Sequence, residues 1–257
     1  MHKTSFKIAL IVLVTAICRL AGAQSAIPFK VDGRADDWKA VPKLFNKNNR
    51  ASYAIMNDSD NLYLLLSTKD VHTASKIVMG GITFTLTGKG KEKQWPAFTF
   101  PAYERSEELR YLRFQGKPAN TADSARCDSF ARVINTRLDG WLKSIGLNHV
   151  LSAGDSLISV FNDLGIRAMA RMDAHLNFNV EMCISLKYIN TGGSNKLTYN
   201  IRLNGITAVS DRTELSASGR FLLFYRGNGQ RLAMPMTPEF ADMAYATDFN
   251  GEYMLIR

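Results

Sequence analysis

The hydrophobic positions of this chain fall mostly into short runs with a period of two, each closed by Gly, Asn, Asp or Pro. Ser52 to Met56 puts Tyr53 and Ile55 on one face, and after the polar turn Asn57 to Asn61 the run Leu62 to Ser67 reads as a strand buried on both faces. The two runs and their turn predict a β-hairpin. Beyond the polar linker Asp70 to Lys76, alternation from Gly81 places Ile82, Phe84 and Leu86 on one face. The basic loop Gly88-Lys89-Gly90-Lys91 follows, then a short aromatic strand from Trp95 to Phe100 that Pro101 ends. Further strands are expected over 156–161, 166–172, 176–186, 198–208 and 220–225, with a last one over 252–257.

One segment has a different period. From Ala122 to Ile145 the apolar positions Phe130, Val133, Ile134, Leu138, Trp141, Leu142 and Ile145 recur every three to four residues, with Gly146 as the expected stop. Charged residues occupy its other side, so it predicts a surface helix inserted between two sets of strands. The fold class expected is mainly β: an antiparallel, jelly-roll-like β-sandwich with an inserted surface α-helix around residues 122–145.

The N-terminus has to be set aside from that argument. Lys3 and Lys7 precede an apolar run, Ile8 to Ile17, and Ala21-Gly22-Ala23 supplies small residues for cleavage. Residues 1–23 therefore read as a secretory signal, with the mature domain over 24–257 and export to the periplasm or beyond. The apolar run is shorter than the roughly 20 residues of a membrane-crossing helix, and no membrane span is expected in the mature chain. Loss of Lys3, Lys7 and Arg19 lowers the formal charge of +9 to +6. The excess is dispersed rather than blocked, which suits a solvated basic surface better than a nucleic-acid interface. Cys127 and Cys183 are the cysteines remaining after cleavage. Export permits a disulfide, but their apolar settings favour two buried free thiols.

Asp32-Gly33, Asp37-Trp38, the turn Asp58-Ser59-Asp60-Asn61, Leu62-Tyr63-Leu64 and Asp70 together resemble the opening of the carbohydrate-binding-module family 9-like and DOMON-like sandwiches. Val180-Glu181-Met182-Cys183-Ile184-Ser185-Leu186 resembles a later strand of the same families, with Ser185 where they often have Pro. The resemblance implies an antiparallel sandwich that binds sugar in some relatives and haem in others.

Candidate chemistry is sparse. Sugar recognition needs aromatic faces and converging polar groups, and Trp95, Phe98 and Tyr103 beside the Gly/Lys loop are the candidates for such a platform. The acidic clusters Asp32/Asp36/Asp37 and Asp58/Asp60/Asn61 do not match an EF-hand loop, and hairpin turns use the same residues for backbone hydrogen bonds. His72, His149 and His175 have no spacing that singles them out as haem ligands, and neither a phosphate loop nor a nucleophile or zinc pattern occurs. The expected function is an exported, non-catalytic binding module for a carbohydrate or glycoconjugate, with no cofactor and no metal. The alternative is a structural or interaction protein of the cell envelope whose helical insertion docks a protein partner. Trp38 and Leu62-Tyr63-Leu64 are expected to be core, Trp38 as a plug at the sandwich edge.

Overall fold

The computed structural model describes residues 29–87, 94–104, 110–151, 154–190 and 193–256. The expected signal over 1–23 and the Gly88–Lys91 loop lie outside the described residues. The chain divides into two units, Met1–Lys30 and Val31–Arg257, and the architecture below belongs to the second.

Two antiparallel sheets carry the fold. The first has the order β1-β2-β3-β9-β8, from β1 (Leu44–Asn46), β2 (Ala51–Asn57), β3 (Asn61–Thr68), β8 (Ile166–Met172) and β9 (Phe178–Ser185). The second has the order β14-β10-β4-β5-β6-β7, from β4 (Ile82–Thr87), β5 (Ala97–Phe100), β6 (Ser144–Leu151), β7 (Gly154–Ser159), β10 (Lys196–Leu203) and β14 (Thr247–Met254). Leu62, Leu64, Leu66, Val180 and Met182 of the first sheet share one buried cluster with Phe84, Phe98, Phe100, Ile145 and Ile201 of the second. Burying each such side chain stabilises the fold by about 1.5–3 kcal/mol. Rings bridge the sheets: Tyr53 meets Tyr199 at 6.3 Å and Phe249 at 4.8 Å between centroids. The expected hairpin is β2–β3, and it pairs Asn57 with Leu62 and Ser52 with Ser67.

Three helices close the sandwich. α1 (Val71–Gly80) occupies the segment expected as a polar linker. The Asp70 carboxylate accepts from the Thr73 N–H at 2.7 Å, and Gly81, at φ +80°, takes the left-handed conformation that ends the helix. Ala74, Ile77 and Val78 enter the sandwich core, while Met79 belongs to a second cluster. Thr73, Ser75 and Lys76 are buried as well, so α1 has no solvated face.

α2 (Ser124–Trp141), capped by Asp123, is the inserted helix, and it lies against β8. Its Cys127, Ala131, Ile134 and Leu138 are buried in the core. Asn135 donates to the Met172 carbonyl and accepts from its N–H, satisfying backbone groups on the outer strand of the sheet. The helix ends before Gly146, which instead lies in β6 opposite Thr99 and Leu157. The spacing Leu138, Leu142, Ile145, four and three apart, is helical, and only the pairing of β6 with both β5 and β7 places Ile145 in a strand.

A third sheet, β11-β12-β13, is a meander of β11 (Arg212–Leu215), β12 (Phe221–Tyr225) and β13 (Arg231–Pro235). Its Leu222, Phe224 and Met234 pack with Met79, Ile206 and Met243, the last from α3 (Pro238–Ala244). Of these elements only β12 shows in the hydrophobic pattern. Cys127 and Cys183 are buried free thiols, in line with the apolar settings of their sequence, and desolvation pushes the Cys183 thiol up to about 11.

Candidate functional site

The outward faces of the two large sheets are built differently. On the five-stranded sheet the chain itself covers the central strands. β3 and β9 are buried on both sides, and Tyr63, Leu65, Asn179, Glu181 and Cys183 project away from the sandwich core. Trp38 lies on this outer face, 1% exposed, and donates its indole N–H to Glu181 Oε1 at 2.6 Å. The other oxygen, Glu181 Oε2, accepts from the backbone N–H groups of Asp32 at 2.9 Å and Gly33 at 2.6 Å. Trp38 is thus core, as expected, but it seals a face rather than an edge.

Glu181 is 2% exposed, and its burial pushes the carboxyl up to about 7 against the pull of these three donors. Gly33 has φ +77°, and a Cβ there would stand 2.8 Å from Arg171 Cγ, so the position needs glycine. The two stretches that carry the family resemblance therefore meet through one carboxylate.

The acidic turn of the hairpin is equally internal in its chemistry. Asp58 Oδ1 accepts from the N–H groups of Asp60 and Asn61, and Asp58 Oδ2 accepts from the Tyr63 hydroxyl at 2.7 Å. Burial raises the Asp58 carboxyl, but these bonds outweigh it and hold the group below the usual carboxylate range. Its oxygens are committed to the turn. Among the described residues no group of three or more acidic, His or Cys side chains is placed to hold a metal ion.

The outer face of the six-stranded sheet is open and polar. Strand register sets its rows. Asp248, Arg202, Thr83, Thr99, Gly146 and Leu157 lie side by side across the sheet, and Asn250, Asn200, Thr85, Ala97 and Asn148 form the next row. Alternation is the local cause, since Phe84, Phe98, Leu147 and Ile201 take the inward positions between them. Asn204 donates to Thr83 Oγ1 at 2.8 Å, and the Thr83 and Thr99 hydroxyls share a 2.8 Å hydrogen bond. Asn200 donates to Asp248 at 2.8 Å and to Asn250 Oδ1 at 3.0 Å. Arg202 is exposed and makes no side-chain hydrogen bond or ion pair among the described residues.

A groove of about 510 Å³ opens on the first row, with Thr83, Thr99 and Gly146 beneath it and Tyr103, Leu157 and Arg202 along it. Tyr103 is held there by its hydroxyl, which donates to the Val78 carbonyl. The adjacent Glu104 carbonyl accepts from Arg226 Nη2 at 2.6 Å, and Val209 O accepts from Nη1 at 2.9 Å, so the meander braces this wall.

Trp95, Phe98 and Tyr103 do not form a common platform. Phe98 is 0% exposed and sits in the core, because the period of β5 sends Phe98 and Phe100 inward. Trp95 and Tyr103 are each half-buried and stand beyond opposite ends of β5. Only Tyr103 of the three lines the groove. Sequence reasoning missed Thr83, Thr99, Arg202 and Asn204. The signal available was the row of polar residues alternating with Phe84, Phe98 and Ile201, but their assembly needs the strand order.

No protein-family model matches this chain, and no curated protein matches it in sequence.

Proposed function

We propose that this protein is a non-catalytic, exported binding module of the carbohydrate-binding-module family 9-like or DOMON-like kind. Its ligand is a carbohydrate or glycoconjugate, bound on the outer face of the six-stranded sheet. The observation that carries this reading is the groove on the Arg202–Thr83–Thr99–Gly146 row. There hydroxyl, amide and guanidinium groups converge beside one aromatic ring, Tyr103. Sugars present alternating donors and acceptors above a flat apolar face, and such a row supplies complements to both. With Asn204 donating to Thr83, the Thr83 hydroxyl is able to donate to Thr99, which leaves the Thr99 hydrogen available to a ligand oxygen. The glycine at 146 keeps the floor low: a Cβ there would stand 3.2 Å from Ala102 Cβ.

The test is a glycan array with the full chain, followed by titration of each hit against Arg202→Ala and Thr99→Val. Binding that weakens about tenfold in either variant, with an unchanged melting temperature, supports the reading. Binding insensitive to both, or no binding to any glycan, overturns it.

A further inference from the structure

A second concavity lies on the inserted helix and is independent of the sugar reading. Its volume is about 420 Å³, between α2 and the segment around Gly116. Arg126, Ser129, Phe130, Val133 and Arg137 line it from α2, at the spacing that places them on one helix face. Arg113 faces them from the neighbouring segment. Three arginines therefore line one hollow together with Phe130, Val133 and Ile134.

The cations are not there to balance acids. Asp139, the carboxylate nearest in sequence to Arg137, pairs with Arg171 at 3.0 Å. Asp123 is used as the cap of α2, accepting from the Arg126 N–H. No carboxylate pairs with Arg113, Arg126 or Arg137 among the described residues. Arg113 rests over the Tyr111 ring at 5.8 Å, which leaves its donors available. The apolar part is equally unusual for a solvated helix. Val133 is 52% exposed within the hollow, while Phe130 is half-buried and 6.5 Å from Phe114.

We propose that this hollow is a binding site for a phosphate group joined to an apolar moiety. The phosphate oxygens take the planar forks of Arg126 and Arg137 together with Arg113, the geometry in which guanidinium groups bind phosphate best. The apolar moiety covers Phe130 and Val133. The phosphate belongs either to a soluble ester or to a lipid headgroup.

The experiment is calorimetric titration of the full chain with phenyl phosphate and with inorganic phosphate, and co-sedimentation with vesicles of phosphatidylcholine with and without phosphatidic acid. Phenyl phosphate is expected to bind more tightly than inorganic phosphate, and Arg126→Ala and Arg137→Ala are each expected to weaken it about tenfold. Val133→Asp should remove the preference for the phenyl ester. Arginine-dependent sedimentation with phosphatidic acid assigns the phosphate to a lipid, and binding to phenyl phosphate alone assigns it to a soluble ester. Phenyl phosphate binding that is absent, or unchanged in both arginine variants, overturns the proposal. Arg202→Ala, which tests the sugar groove, should leave phenyl phosphate binding unaltered, so either site can fail without the other.

Discussion

The two outer faces of this sandwich solve opposite problems with the same strand alternation. On the five-stranded sheet, β3 and β9 send apolar and weakly polar side chains outward as well as inward, and the chain has to cover them. Trp38, Gly33 and Glu181 form that cover, with every carboxylate oxygen of Glu181 engaged. On the six-stranded sheet the outward positions are mostly Thr, Asn, Arg and Asp, with Ala97, Gly146 and Leu157 at one side, and they need no cover. Sealing turns one face into structure. The open face bonds its Thr and Asn side chains to one another and keeps the Arg202 guanidinium and the Thr99 hydroxyl hydrogen for a ligand.

Substitutions should separate the two faces in the order of their costs. Trp38→Ala removes a fully buried indole and orphans one Glu181 oxygen, and a loss of about 3–5 kcal/mol is expected in urea unfolding. Gly33→Ala forces a left-handed residue against Arg171 and should cost about 1–2 kcal/mol by the same measurement.

The sealed face should also be sensitive to pH. The folded carboxyl of Glu181 is raised from its ordinary value of 4.5 to about 7. Its contribution to stability is therefore complete below pH 4.5 and is lost as pH rises through about 7. The urea midpoint should fall across that window, and Glu181→Gln should flatten the slope. An unaltered slope in the variant would assign the titration to another group. The smallest effect belongs to the open face: Arg202→Ala should change stability by no more than about 0.5 kcal/mol. A large loss there would make the open face structural and erase the contrast.

Much of the fold was legible from local pattern. The hairpin β2–β3, the doubly buried β3, the strand Ile166–Met172 and the inserted helix all follow from periodicity, because each buries one face or both along a single continuous run. α1 was not legible, since Thr73, Ser75 and Lys76 read as a solvated linker and are buried only through partners distant in the chain, Asn49, Leu112 and Thr247. Lys76 is satisfied by Thr247, far along the chain, and burial lowers its ammonium to about 8 against the pull of Asp242. The start of β6 was read as helix because Leu138, Leu142 and Ile145 stand four and three apart, so the helical period runs on through Ser144 and Ile145.

The candidate site was less legible than the fold. Of the three residues named from the sequence, Tyr103 lines the groove. Phe98 was misplaced because aromatic residue type says nothing about which side of a strand it takes, and the inward neighbours Phe84 and Leu147 of its paired strands settle that.

The sequence by itself determined the elements whose hydrophobic period is local: the β-rich class, the helix over α2 and the turn chemistry of Asp58. Tertiary structure alone decided what those elements bring together. Glu181 reaches Asp32, Gly33 and Trp38 across more than a hundred residues of chain, and Arg202 stands beside Thr83 only because β10 pairs with β4. Local pattern encodes which face of a strand is wet or dry. Strand order, set by packing of the whole core, encodes which wet residues become neighbours.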